Sequence, residues 1–287
     1  MTDGLVVIDK PAGLTSHDVV ARLRRLLRTR RVGHAGTLDP MATGVLVAGV
    51  GRATRLLGHL QLADKAYDAT VRLGSATDTD DAAGRVVSTA DASHLDEGAV
   101  RAGVAGLTGD LQQVPSAVSA IKVDGRRAYE RVRTGELVQL AARPVQVSVF
   151  DVLDIRRVDD CVDVDVRVAC STGTYVRALA RDLGASLGVG GHLTRLRRTR
   201  VGPFRLSEAG ELGDDAPTVL SMAETATRCF PCVELDEEQA TYVTHGRALD
   251  LLLPTKGPVA LLTVDGRFLA LYEQRGKSAH AVAVFAG

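Results

Sequence analysis

The chain has 287 residues, 45% of them apolar but only 3% aromatic and none tryptophan, enough for one large domain plus a small one, or a single elaborated domain, around an aliphatic core. The formal net charge is zero, so the overall balance selects no partner, yet six arginines fall within residues 22–31 and four more within 195–200. Such segregated blocks serve either a polyanion-binding face or solvated helix surfaces. No stretch approaches the roughly 20 apolar residues of a membrane span, and MTDGLVVIDKP lacks a leader pattern, so a soluble, cytoplasmic protein is expected.

Leu5–Ile8 is a short apolar run closed by Asp9-Lys10-Pro11-Ala12-Gly13, the pattern of a buried strand leaving through a turn. Thr15 and Asp18 make a capping-box pair ahead of a helix striped by Val19, Val20, Leu23, Leu26 and Leu27, with Arg25 and Arg28 opposite. A glycine-rich turn over 33–44 leads to a second apolar run, Val45–Ala48. Residues 65–73 alternate, Tyr67, Ala69, Val71 and Leu73 on one face and Asp68, Thr70 and Arg72 on the other. Residues 115–144 read as an insertion, with proline near both ends and six basic against three acidic residues. A further alternating strand, Val162–Val168, feeds Ser171-Thr172-Gly173-Thr174, a cap-like turn, and then a helix striped by Val176, Leu179, Ala180 and Leu183. From about Cys229 the texture changes to short strands between HGR, TKGP and VDGR turns. Irregularly interspersed strands and helices without repeats predict an α+β fold with a mixed, mainly antiparallel sheet, divided into residues 1–228 and a small β domain at 229–287.

Three cofactor-like motifs fail. Gly33–Thr37 is followed by no Gly-Lys-Ser/Thr, and Gly49-Val50-Gly51 has Thr54 where a dinucleotide fingerprint needs its third glycine. The DTDDAAG segment starting at Asp78 lacks the third acid and the sixth-position glycine of a calcium loop, with Thr89 in place of the bidentate glutamate. Four cysteines make no disulfide framework, and the CxxC at Cys229 and Cys232 has neither a second pair nor a nearby histidine. Neither metal nor cofactor is expected. Asp39-Pro40 fits a helix N-cap or Asx-turn as well as a reactive carboxylate. Tyr67 fits a core aromatic as well as a site residue. Arg177 fits a surface cation, but it lies about 100° around its helix from Val176 and can reach inward.

GHAGTLDPMATGVL, residues 33–46, closely resembles the nucleophile motif of the TruB-type tRNA pseudouridine synthases. LVVIDKPAGLTSHDVV at 5–20, KAYDATVRLG at 65–74, and STGTYVRALARDLG with GGHLTRLRRTRVGPF across 171–204 are similar to that family's other motifs, in the same order over about 1–210. The resemblance implies a pseudouridine-synthase fold with a PUA-like C-terminal domain, and isomerisation of a uridine in the T-loop of tRNA. By the same resemblance Asp39 is the catalytic carboxylate, Arg177 its ion-pair partner and Tyr67 the ring stacked on the target base. His34 fills the space of a flipped-out base, Tyr175 and Leu196 line the base pocket, and Lys10 supports the site. Phosphates are assigned to Arg195, Arg197 and Arg198 and to a thumb loop at 115–144. The partner is a tRNA T-stem-loop, with no obligate protein partner, and the enzyme is expected to be a monomer. The C-terminal segment carries five basic and seven acidic residues, net −2, so its removal is expected to raise KM only modestly. A guide-RNA-dependent synthase and a non-catalytic tRNA-binding protein are the alternatives; a glycosidase lacks a second acid.

Overall fold

The computed structural model describes residues 3–117 and 140–286, together with the backbone of two short strands between them. Most of the expected insertion at 115–144 lies outside the described residues; its last two, Arg143 and Pro144, belong to a long strand rather than to a loop. In chain order the strands are β1 (Gly4–Lys10), β2 (Val32–His34), β3 (Thr43–Val50), β4 (Lys65–Leu73), β5 (Ser75–Thr77), β6 (Val86–Thr89), β7 (Gly109–Gln113), β8 (Lys122–Val123), β9 (Arg126–Arg127) and β10 (Arg143–Val158). They continue with β11 (Cys161–Cys170), β12 (Gly191–Val201), β13 (Phe204–Arg205), β14 (Gly210–Glu211), β15 (Leu220–Ser221), β16 (Cys232–Leu235), β17 (Val259–Thr263), β18 (Phe268–Arg275) and β19 (Ser278–Val284). The helices are α1 (Ser16–Leu26), α2 (Leu57–Gln61), α3 (Glu97–Gly106), α4 (Val176–Ser186), α5 (Met222–Cys229) and α6 (Glu237–Thr244).

The main sheet runs β14-β1-β3-β12-β4-β11-β10-β7, and a four-stranded sheet runs β16-β17-β18-β19. Most pairs are antiparallel, with β1–β14, β3–β12 and β16–β17 parallel, so the class is α+β on a mixed sheet. Burial explains the two kinds of strand seen in the sequence. β4 alternates because one face meets the core formed with α3 and α4. β3 is apolar throughout because it is covered on both faces: Leu46, Ala48 and Val50 pack with α1, while Val45 and Val47 pack the opposite way. Helix α1 has the Thr15–Asp18 capping box. Its stripe is shorter than expected, since Val19, Val20 and Leu23 are buried while Leu26 and Leu27 are only half-buried at its end.

The C-terminal sheet shares core with the main one. Val45, Val47, Leu5 and Val7 belong to a single buried cluster with Ala260, Leu262, Phe268, Leu271 and Phe285. Arginines lock the seam: Arg52 donates to the Phe285 carbonyl at 2.6 Å and Arg55 to that of Val284 at 2.6 Å. The Arg55 guanidinium also lies 4.7 Å from the Phe285 ring centroid. No helix among the described residues is long and apolar enough to cross a membrane.

Candidate active site

Asp39 sits in the loop joining β2 to β3, and no helix follows it. Its carbonyl accepts the Ala42 N–H in a turn, so the N-cap alternative is excluded. Three buried side chains pin this loop. Ser16, at the start of α1, accepts the Leu38 N–H at 2.8 Å and donates to the Leu38 carbonyl at 3.2 Å. Lys10, at the end of β1 and wholly buried, donates to the carbonyls of Pro11 and Leu14, each at 2.8 Å, and of Pro40 at 3.4 Å. Arg198, on β12, donates from Nε to Val45 O at 2.7 Å, from Nη1 to Thr37 O at 3.3 Å and from Nη2 to Gly36 O at 3.1 Å. Where β3 and β12 meet, Gly44 is indispensable: its φ is +100°, and a Cβ there would stand 2.2 Å from the Arg198 carbonyl oxygen.

Beyond the loop, α4 presents Arg177. Its side chain is 5% exposed, with Nε 3.0 Å from Asp39 Oδ2 and Nη1 3.5 Å from Asp81 Oδ2, and it donates to the Thr79 carbonyl at 2.8 Å. It is no surface cation. Asp81 comes from the segment that failed as a calcium loop, and the Thr79 hydroxyl and the Ala83 N–H hold its Oδ1. Burial pushes the Asp39 pKa above the usual carboxylate value; Arg177 opposes that, Asp81 reinforces it, and Lys10 opposes it more weakly. The carboxylate is therefore poised between low-dielectric walls and one fixed counter-charge. Lys10 pays for its burial in basicity: its pKa is pushed down to about 8, Asp39 acting against the fall.

These residues open on one pocket of about 390 Å³, within the usual range for small-ligand sites. Asp39, Tyr67, Arg177, His34, Tyr175, Leu196 and Arg198 all line it. Tyr67 is 7% exposed on β4, and burial raises its pKa against the nearby Arg198 charge, which keeps the phenol neutral. Burial, with the charges of His17 and Arg198, lowers the His34 pKa, so its ring is neutral at pH 7. That ring meets His17 edge-on at 5.5 Å between centroids. The Arg143 guanidinium lies 5.0 Å from the Tyr175 ring centroid.

The basic RLRR run divides by strand alternation. Leu196 and Arg198 point into the pocket, while Arg195 and Arg197 are absent from its lining. Arg197 binds Asp9 at 2.5 Å and Thr43 at 3.1 Å; Arg195, with 55% of its side chain exposed, bonds Thr70. The expectation that Arg198 grips phosphate is corrected: it is 1% exposed, and all three of its donor nitrogens are bonded to backbone carbonyls, two in the loop and one at the start of β3. Sequence reasoning missed Asp81, Ser16, Lys65 and Gln113. Lys65 lines the pocket and donates to Gln61 and Ala63 carbonyls at 3.0 and 2.7 Å. Gln113, not the Ser171–Thr174 turn, secures the start of α4, accepting the Tyr175 N–H at 2.8 Å and donating to its carbonyl at 3.1 Å. Period-2 alternation carried through 195–201 points Arg198 inward; no local pattern reports Asp81, which lies 96 residues before Arg177 in the chain.

The site is thus an ion-paired carboxylate in a pocket of small-ligand size on a mixed sheet with arginines beside it, a binding cleft fit for reactive chemistry on a small planar group, and no metal-ligand cluster occurs among the described residues. Residues 24–176 match the TruB family pseudouridylate synthase N-terminal domain, 177–223 the tRNA pseudouridylate synthase B C-terminal domain, and 230–286 the tRNA pseudouridine synthase II C-terminal domain. The tRNA pseudouridine synthase B of Thermobifida fusca is 58% identical over 295 residues, covering 100% of both chains. That of Nocardia farcinica is 60% identical over 285 residues, covering 98% of this chain and 92% of the relative. Among solved structures, an H/ACA RNP bound to a substrate RNA containing 2′-deoxyuridine has a TM-score of 0.74 at 26% identity, covering 99% of this chain and 85% of that one. A Cbf5-Nop10-Gar1 complex also scores 0.74 at 26% identity, covering 98% and 84%. The chain belongs to the TruB family of tRNA pseudouridine synthases, isomerases that convert uridine to pseudouridine.

Proposed function

We propose that the substrate is the uridine of the tRNA T-loop, presented to the pocket as a flipped-out base, and that Asp39 is the carboxylate that acts at its ribose. The supporting observation is the convergence of Asp39, Arg177, Tyr67 and His34 on one pocket. The reaction breaks N1–C1′, turns the uracil and rejoins it through C5, with the C5 hydrogen leaving as a proton. Atoms balance without an oxidant, donor or water, so the task is to hold a detached base beside an ionised carboxylate. Arg177 keeps Asp39 ionised and aimed despite its burial. The neutral Tyr67 ring offers the base a stacking face, worth about 1–3 kcal/mol per base against an unstacking cost of a few. The neutral His34 ring takes the vacated place in the RNA stack.

The enzyme works alone as a cytoplasmic monomer, with catalysis in residues 1–228 and a PUA-like module at 229–287. Full-length coverage of a bacterial synthase at 58% identity favours this over guide-RNA dependence. Affinity comes from phosphates, with exposed cations such as Arg195 contributing, so binding weakens steeply with salt.

The test is tritium release from a T-stem-loop labelled at uridine C5, against the same label in full tRNA. The stem-loop should reach within about ten-fold of tRNA in kcat/KM, the scale of one or two lost phosphate contacts. Asp39→Asn should bind RNA within a few-fold of the parent and release no tritium, with an unchanged circular dichroism spectrum. Retained turnover in that variant removes Asp39 from the chemistry, and a stem-loop slower by several orders of magnitude moves recognition away from the T-loop.

A further inference from the structure

We infer that Arg198 is a positioning residue for the isomerisation: its guanidinium ties both stems of the Asp39 loop into one rigid fork beside Tyr67. The inference rests on the reading that Asp39 and Tyr67 face the target uridine. Gly36 and Thr37 lie on the approach to Asp39 and Val45 on the exit, and Arg198 holds the carbonyls of all three. The loop between those stems thereby becomes a closed ring rather than a tether. The register supports the same assignment, because Arg198 stands opposite Gly44 on β3 and opposite Tyr67 on β4. One side chain therefore stands at the carboxylate's loop and beside the stacking ring together, and both Arg198 and Tyr67 line the pocket.

The chemistry requires arginine there. Guanidinium spreads five N–H donors over three nitrogens in a fixed plane and carries its charge without deprotonation, whereas an ammonium donates from one nitrogen and reaches only carbonyls that converge on that point. An arginine 1% exposed makes no phosphate contact, so its contribution belongs in turnover rather than in RNA affinity. Its charge also acts through space. Lys10 pins the same loop at Pro40, and the ionisable or charged groups facing its ammonium are Asp39, Arg198 and Asp18, with Arg198 disfavouring its protonated form.

The experiment compares Arg198→Lys and Arg198→Met with the parent and with Asp39→Asn, using full tRNA. Single-turnover rate, tRNA Kd, the pH profile and amide hydrogen exchange over residues 36–45 are measured. Both variants should lose about 10- to 100-fold in single-turnover rate, the scale of a misplaced reacting group, with Kd within about three-fold of the parent. Exchange in the loop should accelerate in both. A basic limb set by deprotonation of Lys10 should move to higher pH in Arg198→Met, where the neighbouring charge is gone, and stay in place in Arg198→Lys, a distinction that loss of packing alone does not produce. A lysine variant with the parental rate, a variant weakened in Kd but not in rate, or a lysine variant that fails to fold each overturns the assignment; the last reduces Arg198 to a core strut. If Asp39→Asn stays active, the reading of the site fails first; if Asp39→Asn is dead and Arg198→Lys is fully active, only the inference on Arg198 fails.

Discussion

Arg177→Met isolates the electrostatic part of the site. It keeps an unbranched apolar stem within α4 while removing the charge 3.0 Å from Asp39. Two unit charges at that distance interact by about 5 kcal/mol at an effective dielectric of 20. The Asp39 side chain is 35% exposed towards the pocket, so solvent screens part of this. Opposite charges at this range lower a carboxylate pKa by about 1–3 units. Burial already holds the Asp39 pKa above its ordinary value against Arg177; without the arginine it rises further. On the proposed role of Asp39 as the ionised carboxylate, the acid limb of kcat/KM should move to higher pH by about 1–3 units, and below the new limb the rate should fall about ten-fold per unit. Asp81→Asn should move the limb the other way, because Asp81 is a like charge that raises the Asp39 pKa. Asp81 keeps bonds from Thr79 and Ala83 in the arginine variant, and circular dichroism checks its fold. Tritium release from pH 5 to 9 reads both limbs. If both variants lose rate uniformly while the limb stays where it was, Arg177 orients Asp39 without governing its charge and the electrostatic reasoning is wrong.

Two further outcomes follow from the packing. Ser16→Ala removes the only side chain that bonds both the N–H and the carbonyl of Leu38 among the described residues. It should cost about 1–3 kcal/mol in urea unfolding and lower kcat more than it raises KM; equal stability would show that water replaces the hydroxyl. Phe285→Ala opens a cavity between the two sheets and should cost about 3–5 kcal/mol, so deletion of 229–287 tests folding rather than RNA grip; a loss under about 1 kcal/mol would restore the truncation as a clean probe of affinity.

The strands and helices that carry the site were legible because each had one buried face. β4, spanning 65–73, and the Thr15–Asp18 cap coincide with what alternation and side-chain chemistry predict. The pocket residues were legible only together: Asp39, Tyr67 and Arg177 individually have ordinary structural explanations, and four ordered motifs raised them above those. What stayed hidden depends on long-range geometry. Arg198 looked like one more cation in a basic run, because charge composition does not say which face of a strand a residue occupies. Asp81 reached Arg177 through a turn whose sequence imitates an ion-binding loop. The shared core under the C-terminal sheet was equally invisible, since a change of sequence texture at Cys229 marks where elements shorten and not where packing stops.

That shared core bears on how the molecule comes apart. Family relatedness divides the chain after 176 and again before 230, but the cluster joining Val45 and Val47 to Ala260, Leu262 and Phe285 crosses the second division without a gap. β3 begins four residues after Asp39; α1 covers one face, and the other face belongs to the buried cluster that extends to the C-terminal sheet. Loosening either covering strips the strand that anchors the reactive loop. The enzyme should accordingly unfold in one cooperative heat-capacity transition, and two separated transitions would show that the active site outlasts the C-terminal sheet.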